Sequence, residues 1–216
     1  MTPSDHIRAL LGELYPAQAD ALFTAIGERL RQLQVPPAHG DYFSEKTVTL
    51  ITYGDTLHRE GEHPLQTLRH FLDDNAHDLI DTVHILPFYP YSSDDGFSVI
   101  DYYAVNPELG NWDDVRALSR GYRLMFDAVI NHMSAKSEWF QRFLADDPAY
   151  TNLFMTESQE TDLSSVVRPR TSPLLTPFTK ANGDTVHVWT TFSDDQVDLE
   201  FRTPAPSLRS LEVLLD

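Results

Sequence analysis

From Thr47 onward, short apolar runs alternate with amphipathic helical segments, and this rhythm constrains the fold more than any other property of the chain. Val48, Leu50 and Ile51 to Tyr53 form a β-rich run. Pro64 to Leu72 reads as an amphipathic helix, and Val83 to Phe88 as a second apolar run. Asn111 is placed to cap a helix reaching Leu118, with Asp114 three positions on as in a capping box, and Tyr122 to Val129 gives a third buried strand. Strand-helix-strand repetition requires parallel strands joined by helical crossovers, so the expected class is α/β.

Three such strands leave both sheet edges open. A (β/α)8 TIM barrel takes about 250 residues, and 216 with insertions leave no room for eight strands. Residues 44–146 are therefore read as the first part of an incomplete barrel. Before them, Ile7, Leu10, Leu11, Leu14 and Tyr15, then Leu22, Phe23, Ile26, Leu30 and Leu33, repeat at helical spacing and predict a helical hairpin. Pro36, Pro37 and Gly40 end it, which makes residues 1–40 an extension.

After a helix over Glu138 to Leu144 the pattern dissolves into polar loop, with one more strand expected at Val186 to Phe192. Residues 147–200 read as an inserted, loop-rich domain. Residues 201–216 read as a helix returning to the barrel, from Ser207 to Leu215. Asp216 follows it with neither a glycine cap nor the turn a further strand needs, so the sheet is expected to be cut short.

Composition excludes more than it proves. The net charge of −17 argues against electrostatic capture of nucleic acid or anionic lipid. The chain has no cysteine, which rules out thiolate chemistry, disulfides and sulfur-ligated metal. With neither a signal peptide nor a run of about 18 apolar residues, no membrane association and a cytoplasmic location are expected.

Three clusters fall where a barrel carries its functional loops, at the C-terminal ends of strands. Asp94-Asp95-Gly96-Phe97 follows the second strand, and Asp94 is a carboxylate able to accept two hydrogen bonds from vicinal sugar hydroxyls. The same residues would equally make a surface turn. In Asp127 to His132, Asp127 and Asn131 are read as fixing the strand-end backbone, with His132 pointing outward to donate to a ligand hydroxyl. A capped strand end accounts for that segment as well. Gln196-Val197-Asp198 closes the insertion. Asp127 and Asn131 supply two oxygen ligands, too few for a calcium cage, so no metal is expected.

These residues carry a resemblance. His84 to Asp101, Leu109-Gly-Asn-Trp-Asp-Asp-Val115, Asp127 to Ser134 and Trp189 to Asp198 resemble the sucrose phosphorylase subfamily of glycoside hydrolase family 13, in the α-amylase superfamily. The wording of Ser92 to Val99 and of Arg168-Pro-Arg-Thr-Ser-Pro-Leu-Leu-Thr176 looks most like the branch acting on glucosylglycerate, with the sucrose 6-phosphate branch close behind. The resemblance implies reversible transfer of glucose from an α-glucoside to inorganic phosphate as co-substrate, with retention, through a covalent glucosyl-enzyme and without a cofactor. By the same resemblance Asp94 and His132 hold glucose hydroxyls, Phe97 walls the sugar, and Gln196 lies nearby. Arg168 and Arg170 belong to a loop that meets acceptor or phosphate, a role suited to a planar guanidinium.

One part of the pattern is missing. The subfamily carries its nucleophile in an Arg-x-Asp-Ala motif on the fourth strand and its acid/base glutamate on the fifth, and neither occurs here. Asp127 sits in Phe-Asp-Ala, but position 125 is Met125 where the arginine belongs. The expectation is that the reacting carboxylates lie beyond Asp216, in a C-terminal part that would be this chain's partner. The chain alone is then inactive. The alternative from another class is a catalytically inactive glucoside-binding remnant.

Overall fold

The computed structural model describes residues 2–33, 43–167 and 170–215. Arg168 and the Pro36-Pro37-Gly40 linker lie outside them. Two helices, α1 (Pro3–Leu14) and α2 (Ala19–Gln32), open the chain. A capping box between Thr2 and Asp5, with Pro3 in the first turn, starts α1. Leu11, Tyr15 and Leu22 are buried between the helices, with Ile7, Phe23 and Ile26 packed around them. Leu10, Leu14 and Leu30, also expected on the apolar face, are exposed, because the hairpin buries only a narrow stripe. The Tyr15 hydroxyl donates to the Phe201 carbonyl at 2.9 Å and lies 2.6 Å from Ser207 Oγ, which docks the hairpin beside the last helix.

A parallel sheet follows in the order β1 (Thr49–Thr52), β2 (Thr82–Ile85), β3 (Arg123–Phe126). Thr49 pairs with Thr82 and Thr82 with Arg123, so the three strands run in step. The crossovers are α3 (Pro64–Asn75) and α4 (Trp112–Leu118), the latter capped by Asn111 and Asp114 as its sequence predicts. Leu65, Leu68 and Leu72 of α3 and Val115 and Leu118 of α4 close over Val83 and Ile85, burying one face of the sheet. Each strand is shorter than its apolar run. Beyond Phe126, Val129 turns into a second core instead of extending β3.

That second core surrounds β4 (His132–Ser134), α5 (Glu138–Leu144), β5 (Leu175–Thr179), β6 (Thr185–Trp189) and β7 (Gln196–Asp198). The strands form two antiparallel pairs, β4 with β7 and β5 with β6. Phe140 is fully buried, edge-on to Phe154 and Phe178. The segment read as polar loop therefore contains an unanticipated strand, β5, and ends in a hairpin. The last helix, α6 (Pro204–Leu215), begins three residues earlier than Ser207.

Candidate functional site

The turn after β2 has an unusual backbone. Asp94, Asp95 and Gly96 have φ of 56°, 49° and 102°, the left-handed region that costs residues with a Cβ. Gly96 is obligatory: a Cβ there would stand 2.5 Å from the Pro87 carbonyl oxygen. The strained turn projects Asp94 toward β7, where Gln196 Nε2 donates to Asp94 Oδ2 at 3.0 Å. Gln196 is itself buried, and its Oε1 accepts from Ser193 at 2.9 Å.

His132 corrects the expectation that it points outward. It opens β4, is buried, and its Nε2 lies 3.0 Å from the Phe97 carbonyl and 3.1 Å from Gln196 Nε2. A neutral ring protonated on Nε2 donates to Phe97 and leaves Nδ1 as an acceptor. Nδ1 is buried without a hydrogen-bond partner. Burial pushes the ring's pKa down, against the Phe97 carbonyl and the carboxylates of Asp198 and Asp94. The Tyr102 hydroxyl fixes the approach to β4, donating to the Val129 carbonyl at 2.6 Å, with the His132 carbonyl at 3.2 Å.

The assignment of Asp127 and Asn131 to backbone anchoring is also corrected. Asp127 Oδ2 pairs with His84 Nε2 at 2.9 Å, because the parallel register of β2 and β3 brings those strand ends together. Asn131 is exposed, and its carbonyl, not its side chain, accepts from the Leu199 N–H at 3.0 Å.

Asp94, Phe97, Asp127, Asn131, His132, Arg170 and Gln196 all line one cleft of about 300 Å³. Of the site residues singled out from sequence, Arg168 alone lies outside the described part. The cleft also has Phe192, whose ring centroid is 5.1 Å from that of His132. Sequence reasoning passed over Phe192 as the end of a strand; an aromatic four residues before Gln196 was the available signal. The result is an open depression of mixed polar and apolar lining, shared by two aspartates, a histidine, an asparagine, a glutamine, an arginine and two phenylalanines. Side chains of these kinds can accept hydrogen bonds from hydroxyls, pack against an apolar face and pair with an anion. Among the described residues there is no group of three or more His, Asp or Glu able to hold a metal. No described helix is long and apolar enough to cross a membrane.

Three parallel strands with crossover helices and a cleft near the strand ends fit the first part of a (β/α)8 barrel. The α-amylase catalytic-domain model matches residues 77–206, and the chain belongs to that family. It is similar to glucosylglycerate phosphorylase of Allomeiothermus silvanus, at 50% identity over 95% of this chain and 37% of that protein. Against glucosylglycerate phosphorylase of Spirochaeta thermophila it is 48% identical over its whole length and 38% of the relative. The crystal structure of sucrose 6F-phosphate phosphorylase from Thermoanaerobacter thermosaccharolyticum superposes with a TM-score of 0.71 at 31% identity, over 79% of this chain and 37% of that one. The chain thus spans less than two fifths of the length of these relatives, and its three parallel strands fit an incomplete barrel.

Proposed function

We propose that this chain forms the sugar-holding part of a retaining α-glucoside phosphorylase, with glucosylglycerate as the preferred glucoside. The observation that carries the reading is the convergence of Asp94, His132, Gln196 and Arg170 on one cleft, in a chain about half identical to two glucosylglycerate phosphorylases. Asp94 accepts from two glucose hydroxyls, and the Gln196 amide keeps that carboxylate in place. Phe97 and Phe192 flank the apolar face of the ring. Arg170 meets an anion, which is phosphate in one direction and the carboxylate of glycerate in the other. Arg168, two positions earlier in the sequence, is the second candidate for that contact.

The covalent step needs two carboxylates about 5 Å apart on opposite sides of the scissile bond. One attacks the anomeric carbon while the other protonates the departing acceptor oxygen. Phosphate then displaces the carboxylate and yields glucose 1-phosphate with the original configuration. Both carboxylates are assigned to the part of the barrel beyond these three strands, so the 216-residue chain alone turns nothing over.

The test uses this chain within the longest polypeptide its reading frame encodes. Phosphate-dependent release of glucose 1-phosphate is measured from glucosylglycerate, sucrose and sucrose 6-phosphate. Release from glucosylglycerate at the highest kcat/KM is expected. Preference for sucrose 6-phosphate would reassign the acceptor, and glucose release independent of phosphate would make the protein a hydrolase. Glucose 1-phosphate formed by residues 1–216 alone would overturn the placement of the carboxylates.

A further inference from the structure

Asp195 immediately precedes β7 and drew no attention in the sequence, yet three separate segments meet on it. Its Oδ2 accepts from the hydroxyls of Ser92, of Ser93 at 2.6 Å and of Ser98 at 2.8 Å. Its Oδ1 stands 3.5 Å from Ser134 Oγ in β4, and Ser134 Oγ lies 2.5 Å from Ser92 Oγ. The Asp195 carbonyl accepts from the Ala135 N–H at 2.8 Å and lies 3.2 Å from Ser98 Oγ. Burial pushes this carboxyl up, but the Ser92, Ser93 and Ser98 hydroxyls and the nearby Lys136 outweigh it and hold it below the usual carboxylate range.

The bound hydroxyls bracket the left-handed turn. Ser92 and Ser93 precede Asp94, and Ser98 follows Phe97, so a single carboxylate oxygen gathers both ends of the loop. That loop delivers two groups to the cleft: the Asp94 carboxylate to Gln196 and the Phe97 carbonyl to His132. Ser134 stands two residues from His132 on the same face of β4, and Gln196 is the next residue after Asp195. A turn with two non-glycine residues at positive φ persists only where its surroundings hold it. We infer that Asp195 is a positioning residue which, by clamping the Ser92–Ser98 loop onto β4 and β7, sets the separation of Asp94 from His132 and Gln196. The inference rests on the sugar-site reading above, although the geometry it concerns is measurable without any sugar.

The experiment uses this chain within the longest polypeptide its reading frame encodes, with Asp195→Asn, which keeps the shape and removes the charge, and Asp195→Ala. The readout is the nitrogen-15 spectrum of the His132 imidazole, assigned by its loss in His132→Gln, together with glucose titrated calorimetrically. Wild type is expected to show a neutral ring protonated on Nε2. Both Asp195 variants are expected to lose that protected Nε2–H, shift the ring's titration toward that of a solvated histidine, and bind glucose at least tenfold more weakly. Leu72→Ala, which opens a cavity in the other core, serves as the control for lost stability and should leave the His132 signals unchanged. If Asp195→Ala does not fold, Asp195→Asn and Ser93→Ala decide. A folded Asp195→Asn with an unaltered His132 spectrum overturns the inference, as does an equal shift in Leu72→Ala. Absence of glucose binding in wild type, with the His132 shift intact, would instead defeat the sugar-site reading and leave the clamp standing.

Discussion

Gln196 Nε2 and Asp94 Oδ2 are 3.0 Å apart across 102 residues of chain. The bond joins the turn after β2 to the strand that closes the second core, and it aims a carboxylate that would otherwise swing in solvent. Gln196→Leu removes it and leaves the Ser193 hydroxyl without its acceptor. Losing a buried donor and acceptor at this site is expected to cost about 1–3 kcal/mol, read as a lower urea midpoint with unchanged slope. Gln196→Glu should be worse at neutral pH than at pH 4, because it sets a second carboxylate against Asp94. An equal loss at both pH values would mean that the pair is not close in solution.

Gly96→Ala tests the turn itself. At φ 102° an added Cβ is strained, and here it would stand 2.5 Å from the Pro87 carbonyl. A penalty of order 1–3 kcal/mol is expected, with displacement of the loop. Gly61→Ala, also at positive φ but with open space around it, provides the contrast. It should cost less, since only the backbone preference is lost. Chemical denaturation of the two variants side by side measures the difference.

These positions also mark what could be read from the sequence. The β1–β3 and α3–α5 pattern was legible because each of these strands overlaps an apolar run longer than itself and the helices show a period or a cap, as with Asn111 and Asp114 around α4. β4 and β7 are three residues each, too short for any alternation, and both are buried throughout. β5 was masked by Pro177, which sits within the strand opposite His187. Asp94 and His132 stood out as polar residues at strand ends. The burial of His132 and the Asp127–His84 pair were not visible, because they follow from contacts across 35 and 43 residues.

His132 should make stability depend on pH. Its pKa is depressed in the folded chain from 6.5, chiefly by burial, so below 6.5 the unfolded chain binds a proton that the folded one does not. Stability then falls as pH drops through 6.5 and stops falling once the pH is below the folded pKa. Asp198 acts with the opposite sign where it titrates, since burial raises its carboxyl above 3.8. Thermal unfolding between pH 7 and 5 should show a slope that His132→Gln flattens. An unchanged slope would assign the effect to other groups.

The outer strands decide how residues 1–216 behave alone. Among the described residues β1 and β3 each have one neighbour, leaving a row of unpaired backbone groups on either side of the sheet. Ile51 of β1 is 61% exposed, and Met125 and Phe126 of β3 are 36% and 37% exposed. Open, apolar edges template pairing with another chain, and lysine on an edge blunts it. The net charge of −17 opposes association, but salt screens that repulsion to within about 10 Å at 0.1 M. The isolated chain is therefore expected to self-associate as protein and salt concentrations rise, and to melt broadly only under those conditions. Ile51→Lys with Met125→Lys should return it toward monomer in sedimentation velocity. A wild-type chain that stays monomeric in high salt and unfolds in one sharp transition would show that these edges are tolerated. It would favour a self-sufficient glucoside-binding module over a segment whose sheet is completed by further strands.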